Sequence, residues 1–295
     1  MRGWRRLRRD PPALLAALVC AALALAALLA PVIAPADPRD PANLDLLNAQ
    51  LPPLWFGSGQ WPFLLGTDDQ GADVLSSILF GLRISLLVGL LAVALSLLIG
   101  VTLGLVSGYF ARLLDAAIMR AADVQLTFPA FLTALLIGGV TQSLLPPSER
   151  AALAVPAVIA ALGIAHWPHF ARLVRGATMI EKNRDYVRAA RLIGERPARI
   201  LFTHILPNVL TPVLVLATLD IAFAVMGEAT LSFLGVGVPI TDPSLGTLIR
   251  LGYDKLFSGA WWIAVFPSLA LVALVMAINV LGDSLRDAFG PSASG

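Results

Sequence analysis

Long apolar runs separated by short polar stretches set the pattern of this chain. Six of them, at 14–33, 84–106, 124–145, 151–167, 205–227 and 260–281, approach or reach the roughly 20 residues a helix needs to cross a bilayer. The pattern therefore predicts an all-α polytopic membrane protein with six transmembrane helices. Arg2, Arg5, Arg6, Arg8 and Arg9 give the first run the flanks of a signal peptide, but its length exceeds a usual signal core, so a retained signal anchor is expected. In the second run Gly100, Gly104 and Gly108 repeat every four residues, a doubled small-xxx-small pattern that predicts close packing of two membrane helices. Phe128-Pro129 near the start of the third run and Pro156 in the fourth predict bends.

The largest polar interruption is 168–204, and its core is a segment that reads as a short amphipathic helix. Asp185 is the expected N-cap and Gly194 the expected stop. Between them Tyr186, Ala189, Ala190 and Ile193 recur at i, i+3, i+4 and i+7 and predict one shallow apolar face, with Arg188 and Arg191 elsewhere. A helix of this length is marginal alone in water. It needs a groove, in its own chain or in a partner.

Composition fixes the class. Hydrophobic residues make up 58%, charged residues 14%, and mean hydropathy is +0.81, beyond what a soluble core requires. Of the 21 Lys and Arg, 16 fall in 1–10, 107–123, 168–204 and at Arg286, while Arg39, Arg83, Arg150, Arg250 and Lys255 fall in the alternate connections. The positive-inside rule then places both termini and the 168–204 loop in the cytoplasm. The expected layout is a cytoplasmic N-terminus at 1–12, a first helix at 13–34, an external loop at 35–83, a transmembrane domain at 84–282 and a cytoplasmic tail at 283–295. A net charge of +2, dispersed by topology, argues against nucleic acid as a partner. Cys20 is the only cysteine and is read as a packing residue, which excludes an internal disulfide and a cysteine metal cluster.

Candidate chemistry is sparse. Asp68, Asp69 and Asp73 lack the spacing and the terminal Glu of a calcium loop, so helix capping by Thr67 or Asp68 is the expected role of that region. His166 and His169 sit beside Trp167-Pro168 without a third metal ligand nearby in sequence and are read as packing at the end of the fourth span. Asp220 and Glu228 are the carboxylates of the fifth run, about 80° apart around a helix. They read either as a proton relay or, preferably, as one deep Asp220 with Glu228 past the span end near Gly227, at an external mouth. The sequence has no G-x-x-x-x-G-K-[ST], no H-E-x-x-H and no G-x-S-x-G. If the chain takes part in active transport, the energy enters from another subunit.

Ala189-Ala190-x-x-x-Gly194 followed by Leu206-Pro207 resembles the cytoplasmic loop signature of binding-protein-dependent ABC importer permeases. Arg188 and His204 replace the usual Glu and Ile, in the manner of the dipeptide/oligopeptide/nickel branch. Three further stretches are similar to that branch: Leu65-Gly66-Thr67-Asp68 through Ser85, Asp115 through Pro129, and Glu228 through Gly237, with Ala72 and Ser77 where arginines are common. The resemblance implies a type I ABC importer architecture and a permease subunit for di- or oligopeptides, with nickel chelates or glutathione-like molecules as alternative cargo and a proton-coupled secondary transporter as the distant alternative. It implies partners: a second permease, two cytoplasmic ATPases that carry ATP and Mg, and an extracytoplasmic solute-binding protein. It also implies that Asp185, Tyr186, Ala189, Ala190, Ile193, Gly194 and Pro207 form or support a helix that couples to the ATPases, in the inner membrane of a bacterium.

Overall fold

The computed structural model describes residues 10–110, 112–144 and 146–289; the basic cluster at 1–9 and the last residues of the tail lie outside them. Among the described residues the longer helices are α1 Pro11–Leu28, α2 Val74–Phe110, α3 Arg112–Thr127, α4 Ala130–Leu144, α5 Pro147–Glu181, α6 Asp185–Leu192, α7 Leu206–Phe233, α8 Leu245–Tyr253 and α9 Trp262–Phe289. Among the described residues the β structure is a single bridge between Thr67 and Asp73. Five helical stretches are long and apolar enough to cross a membrane, and there are six if the bent pair α3 and α4 counts as one.

That pair carries the bend expected in the run at 124–145. The helix breaks at Phe128-Pro129, and the axes on either side differ by 90°. Proline cannot continue the hydrogen-bond ladder, and the residue before it avoids the helical region. The helices extend beyond the apolar runs: the one that holds the second run starts at Val74, and the one that holds the fourth continues past Trp167-Pro168 to Glu181.

The core is built around α2 and α5, the most extensively packed helix pair. Gly100, Gly104 and Gly108 lie on this seam. A Cβ at Gly100 would stand 2.5 Å from Phe170 Cβ, at Gly104 2.7 Å from the Ala171 carbonyl oxygen, and at Gly108 2.6 Å from Thr178 Cβ. Each lies below any ordinary contact distance, so the two backbones approach as closely as they do because these side chains are missing. Helix α7 packs on α2, α5 and α9, and the short α8 wedges between α7 and α9.

The segment before α2 folds over the start of α9. Thr67 Oγ1 accepts from Leu51 N–H at 2.8 Å and donates to the Asn48 carbonyl, while Trp262 Nε1 donates to the Thr67 carbonyl at 3.1 Å. The cap of α2 is Asp73, whose Oδ2 accepts from the Ser76 N–H at 2.8 Å and the Ser76 hydroxyl at 2.6 Å. Thr67 and Asp68 are therefore loop-forming residues rather than the cap; Asp68 Oδ1 accepts from the Gln70 and Ala72 N–H groups. Burial pushes the Asp68 and Asp73 carboxyls above the usual aspartate range.

Candidate functional site: the coupling segment

Helix α6 follows α5 after a three-residue turn, and its boundaries are set locally. The N-cap position is Arg184, in extended backbone and without a side-chain cap bond, so Asp185 is the first helical residue rather than the cap. Its carboxylate is fully exposed and lies 3.8 Å from Arg188. It still sits at the positive end of the helix. The C-terminus is a Schellman motif: Gly194 adopts φ +81°, its N–H donates to the Arg191 carbonyl, and Glu195 N–H donates to the Ala190 carbonyl, both at 3.1 Å.

The face the helix turns inward differs from the expected one. Val187 is fully buried and Ala190 is 5% exposed, and both join the core cluster that contains Ile200, Leu201 and Ile205. Tyr186, Ala189, Leu192 and Ile193 turn outward, with Leu192 89% and Ile193 77% exposed. Ala190 therefore seats the helix on its own chain, and the exposed apolar surface is Leu192 and Ile193 with Ala189. Periodicity in eight residues fits two adjacent faces almost equally well, which is why the sequence placed Ala190 outside and passed over Val187 and Leu192.

Polar bonds hold both ends of α6. The Tyr186 hydroxyl donates to Glu181 Oε2 at 2.6 Å and accepts from Asn208 Nδ2 at 3.1 Å. Desolvation first, and the bond to the Glu181 carboxylate second, push this phenol above the usual tyrosine range. After the Gly194 stop, Glu195 Oε2 stands 2.9 Å from His204 Nε2, with Arg199 Nε 3.9 Å from Glu195 Oε1. His204 lies in a wide π-helical turn, Ile200–Ile205, that leads directly into α7. Pro207, in the first turn of α7, lacks the N–H that would continue the ladder there, and Asn208 Nδ2 donates to the His204 carbonyl at 2.8 Å.

The lower end of α5 is fastened beside α6. Arg175 forks onto Asp115 of α3 at 2.5 and 2.7 Å, Ser107 Oγ donates to the same carboxylate at 2.6 Å, and Lys182 Nζ donates to the Gly108 carbonyl at 2.6 Å. The Arg191 guanidinium stands 4.9 Å from the Tyr109 ring.

Glu228 does not lie past the end of its helix. The helix continues through Gly227 to Phe233, and Glu228 is fully buried, accepting from Ser85 Oγ of α2 at 2.7 Å and Ser232 Oγ at 2.6 Å. Ser85 Oγ in turn accepts from Leu245 N–H at the start of α8. Asp220 meets His166 Nδ1 of α5 at 2.7 Å, deep in the core. Asp220 is deep, as the preferred reading had it, and the two carboxyl groups make separate cross-helix ties rather than a relay pair. His166 is thus a hydrogen-bonding partner of Asp220 and not only a packing residue. Sequence reasoning missed this contact because the partners are 54 positions apart.

With the geometry described, comparison with known proteins decides the family. The binding-protein-dependent transport system inner membrane component family matches residues 100–295, and the N-terminal TM domain of oligopeptide transport permease C matches residues 2–53. The chain belongs to the binding-protein-dependent transport permeases. Dipeptide transport system permease protein DppC of Haemophilus influenzae is 39% identical over 288 residues, covering 98% of this chain and 93% of the relative. DppC of Escherichia coli K12 is 40% identical over 288 residues, 98% and 91% of the two chains. In fold, the chain is similar to the inward-facing MetNI methionine ABC transporter, with a TM-score of 0.56 and 21% identity over 72% of this chain and 96% of that one. This permease is a multi-pass membrane subunit of an ABC importer, and the four sequence motifs that suggested it lie on α2, α3, α6 to α7, and the end of α7.

Proposed function

We propose that this permease carries di- or oligopeptides across a bacterial inner membrane, and that α6 transmits work from ATPase subunits on the cytoplasmic side. One observation carries the reading. A short helix with a defined stop is seated on its own core by Val187 and Ala190 while Leu192 and Ile193 face outward, so a rigid body presents apolar side chains that none of the described residues covers. The charge distribution that puts 168–204 in the cytoplasm supports the same placement, with both termini on that side. A second permease completes the translocation path, two ATPases hold ATP and Mg, and a solute-binding protein delivers peptide at the external face. Peptide cargo rests on the similarity to dipeptide permeases.

The test removes apolar character from the outward face only. Leu192→Asp with Ile193→Asp should leave membrane insertion intact, because neither side chain is in the core, and should release the ATPase subunits during co-purification in detergent. An unchanged yield of bound ATPase would overturn the role of α6. Cargo is tested by measuring uptake of labelled dipeptide by the reconstituted importer against a nickel chelate and glutathione.

A further inference from the structure

The two ends of α6 are tied to the same place. Tyr186, near its start, is held by Asn208, and Glu195, just past its stop, is held by His204. His204 and Asn208 are four residues apart, one helical turn, and they are joined to each other by the Asn208 Nδ2 bond to the His204 carbonyl. This turn contains Pro207 and is the junction between the π-helical turn and α7. A π turn within a helical run is rare and frequently lies at functional sites. The tie from Tyr186 to Asn208 crosses this turn to reach α7, while the tie from Glu195 ends on His204 inside it.

Resting on the coupling role given to α6, we propose that His204 and Asn208 are positioning residues for transport: they clasp the two ends of the coupling helix to the π turn and to the first turn of α7, so that displacement of α6 moves α7 with it. Neither residue touches the outward face formed by Leu192 and Ile193. Tyr186 then acts through its hydroxyl, as an internal strut between Glu181 of α5 and Asn208 of α7, rather than through its ring as part of the docking surface.

Tyr186→Phe, Asn208→Ala and His204→Leu test this in the full importer, reconstituted in vesicles with its ATPases and binding protein, by measuring ATP hydrolysed per dipeptide taken up. Tyr186→Phe removes one oxygen and keeps the ring. All three variants should retain their ATPases on co-purification and still hydrolyse ATP, while ATP consumed per dipeptide rises by about 5-fold or more, the lower range of a coupling loss between sites. His204→Gln, which keeps a donor for Glu195, should restore most of the ratio. Tyr186→Phe with Asn208→Ala should be no worse than either alone, because both break one tie. A wild-type ratio in all three variants would overturn the clasp. So would release of the ATPases by Tyr186→Phe, since that would place the hydroxyl in the docking surface. Failure of the Leu192/Ile193 variant to release ATPase is a separate result: it removes the coupling role itself and leaves the clasp as a local brace.

Discussion

The seam between α2 and α5 and the seat of α6 hold helices together by opposite means. On the seam shape dominates: Ser96 Oγ donates to the Gly163 carbonyl and Lys182 Nζ to the Gly108 carbonyl, but it is three glycines that let the backbones approach until an added methyl group would stand 2.5 to 2.7 Å from a neighbour. Around α6 the contacts are few and directional, made by a phenol, an amide, an imidazole and a carboxylate. A close-packed seam tolerates no change of shape and responds steeply to volume. A hydrogen-bonded seat leaves the helix surface free for another protein and responds to the loss of single atoms. The difference fits a scaffold in one case and a transmitting part in the other.

Gly104→Leu should break the seam outright. The new side chain meets the Ala171 carbonyl oxygen and Val174 within 3.0 Å, and overpacking of this kind costs about 3 kcal/mol or more, so the amount of folded protein in the membrane should collapse. Gly104→Ala should show a smaller loss in the same assay, and normal yield from both variants would mean that the seam is not close-packed.

Gly194→Ala probes the other region and should act differently. A Cβ there has open space around it, so only the left-handed backbone at φ +81° resists it, at about 1–2 kcal/mol. Membrane yield should stay normal while a protease cuts the chain near 193–196 several-fold faster. Equal protease sensitivity would show that the stop does not depend on glycine.

The smallest effect is a titration. The Tyr186 phenol is raised above its ordinary value because it is partly buried and donates to Glu181, so the stabilisation it gives is complete at and below the ordinary tyrosine range and is lost as pH rises through the higher folded value. A spin label at position 192 should gain mobility above about pH 10, the ordinary tyrosine value, with Glu181 and Arg184 the charged groups nearest the hydroxyl. The Tyr186→Phe protein should be mobile throughout and flat with pH, and a label on the α2/α5 seam should not respond.

The contrast also explains what could be read from the sequence. Gly100, Gly104 and Gly108 were legible as a packing stripe because a four-residue period of glycines has few other meanings in an apolar helix, and Gly194 was legible as a stop because glycine tolerates positive φ. The 16-to-five split of basic residues and the motif order carried the family. What stayed hidden depends on tertiary partners. Ala190 and Val187 are buried by a π turn that follows them in the chain, and no eight-residue pattern announces it. Pro168 gave no sign that the helix would continue past it, but proline is accommodated inside α5, and the helix runs on to Glu181. Glu228 looked like a surface residue because a buried carboxylate is costly, and that cost is offset by two serines, one of them 143 positions away.

The length of α5 has a mechanical consequence. Its 35 residues give a contour of about 52 Å at 1.5 Å per residue, against a hydrocarbon core of about 30 Å. On the order of 20 Å therefore stands clear of the apolar layer, and α6 hangs from that end, which is fastened to α2 and α3. A tilt of the fastened unit by only about 10° about the far end would swing that tip by roughly 9 Å, more than one full turn of a helix. Conversely, a large stroke at the tip becomes a small, forceful rotation among the membrane-buried segments, which is the gearing a transport gate needs when it must open against tightly packed neighbours.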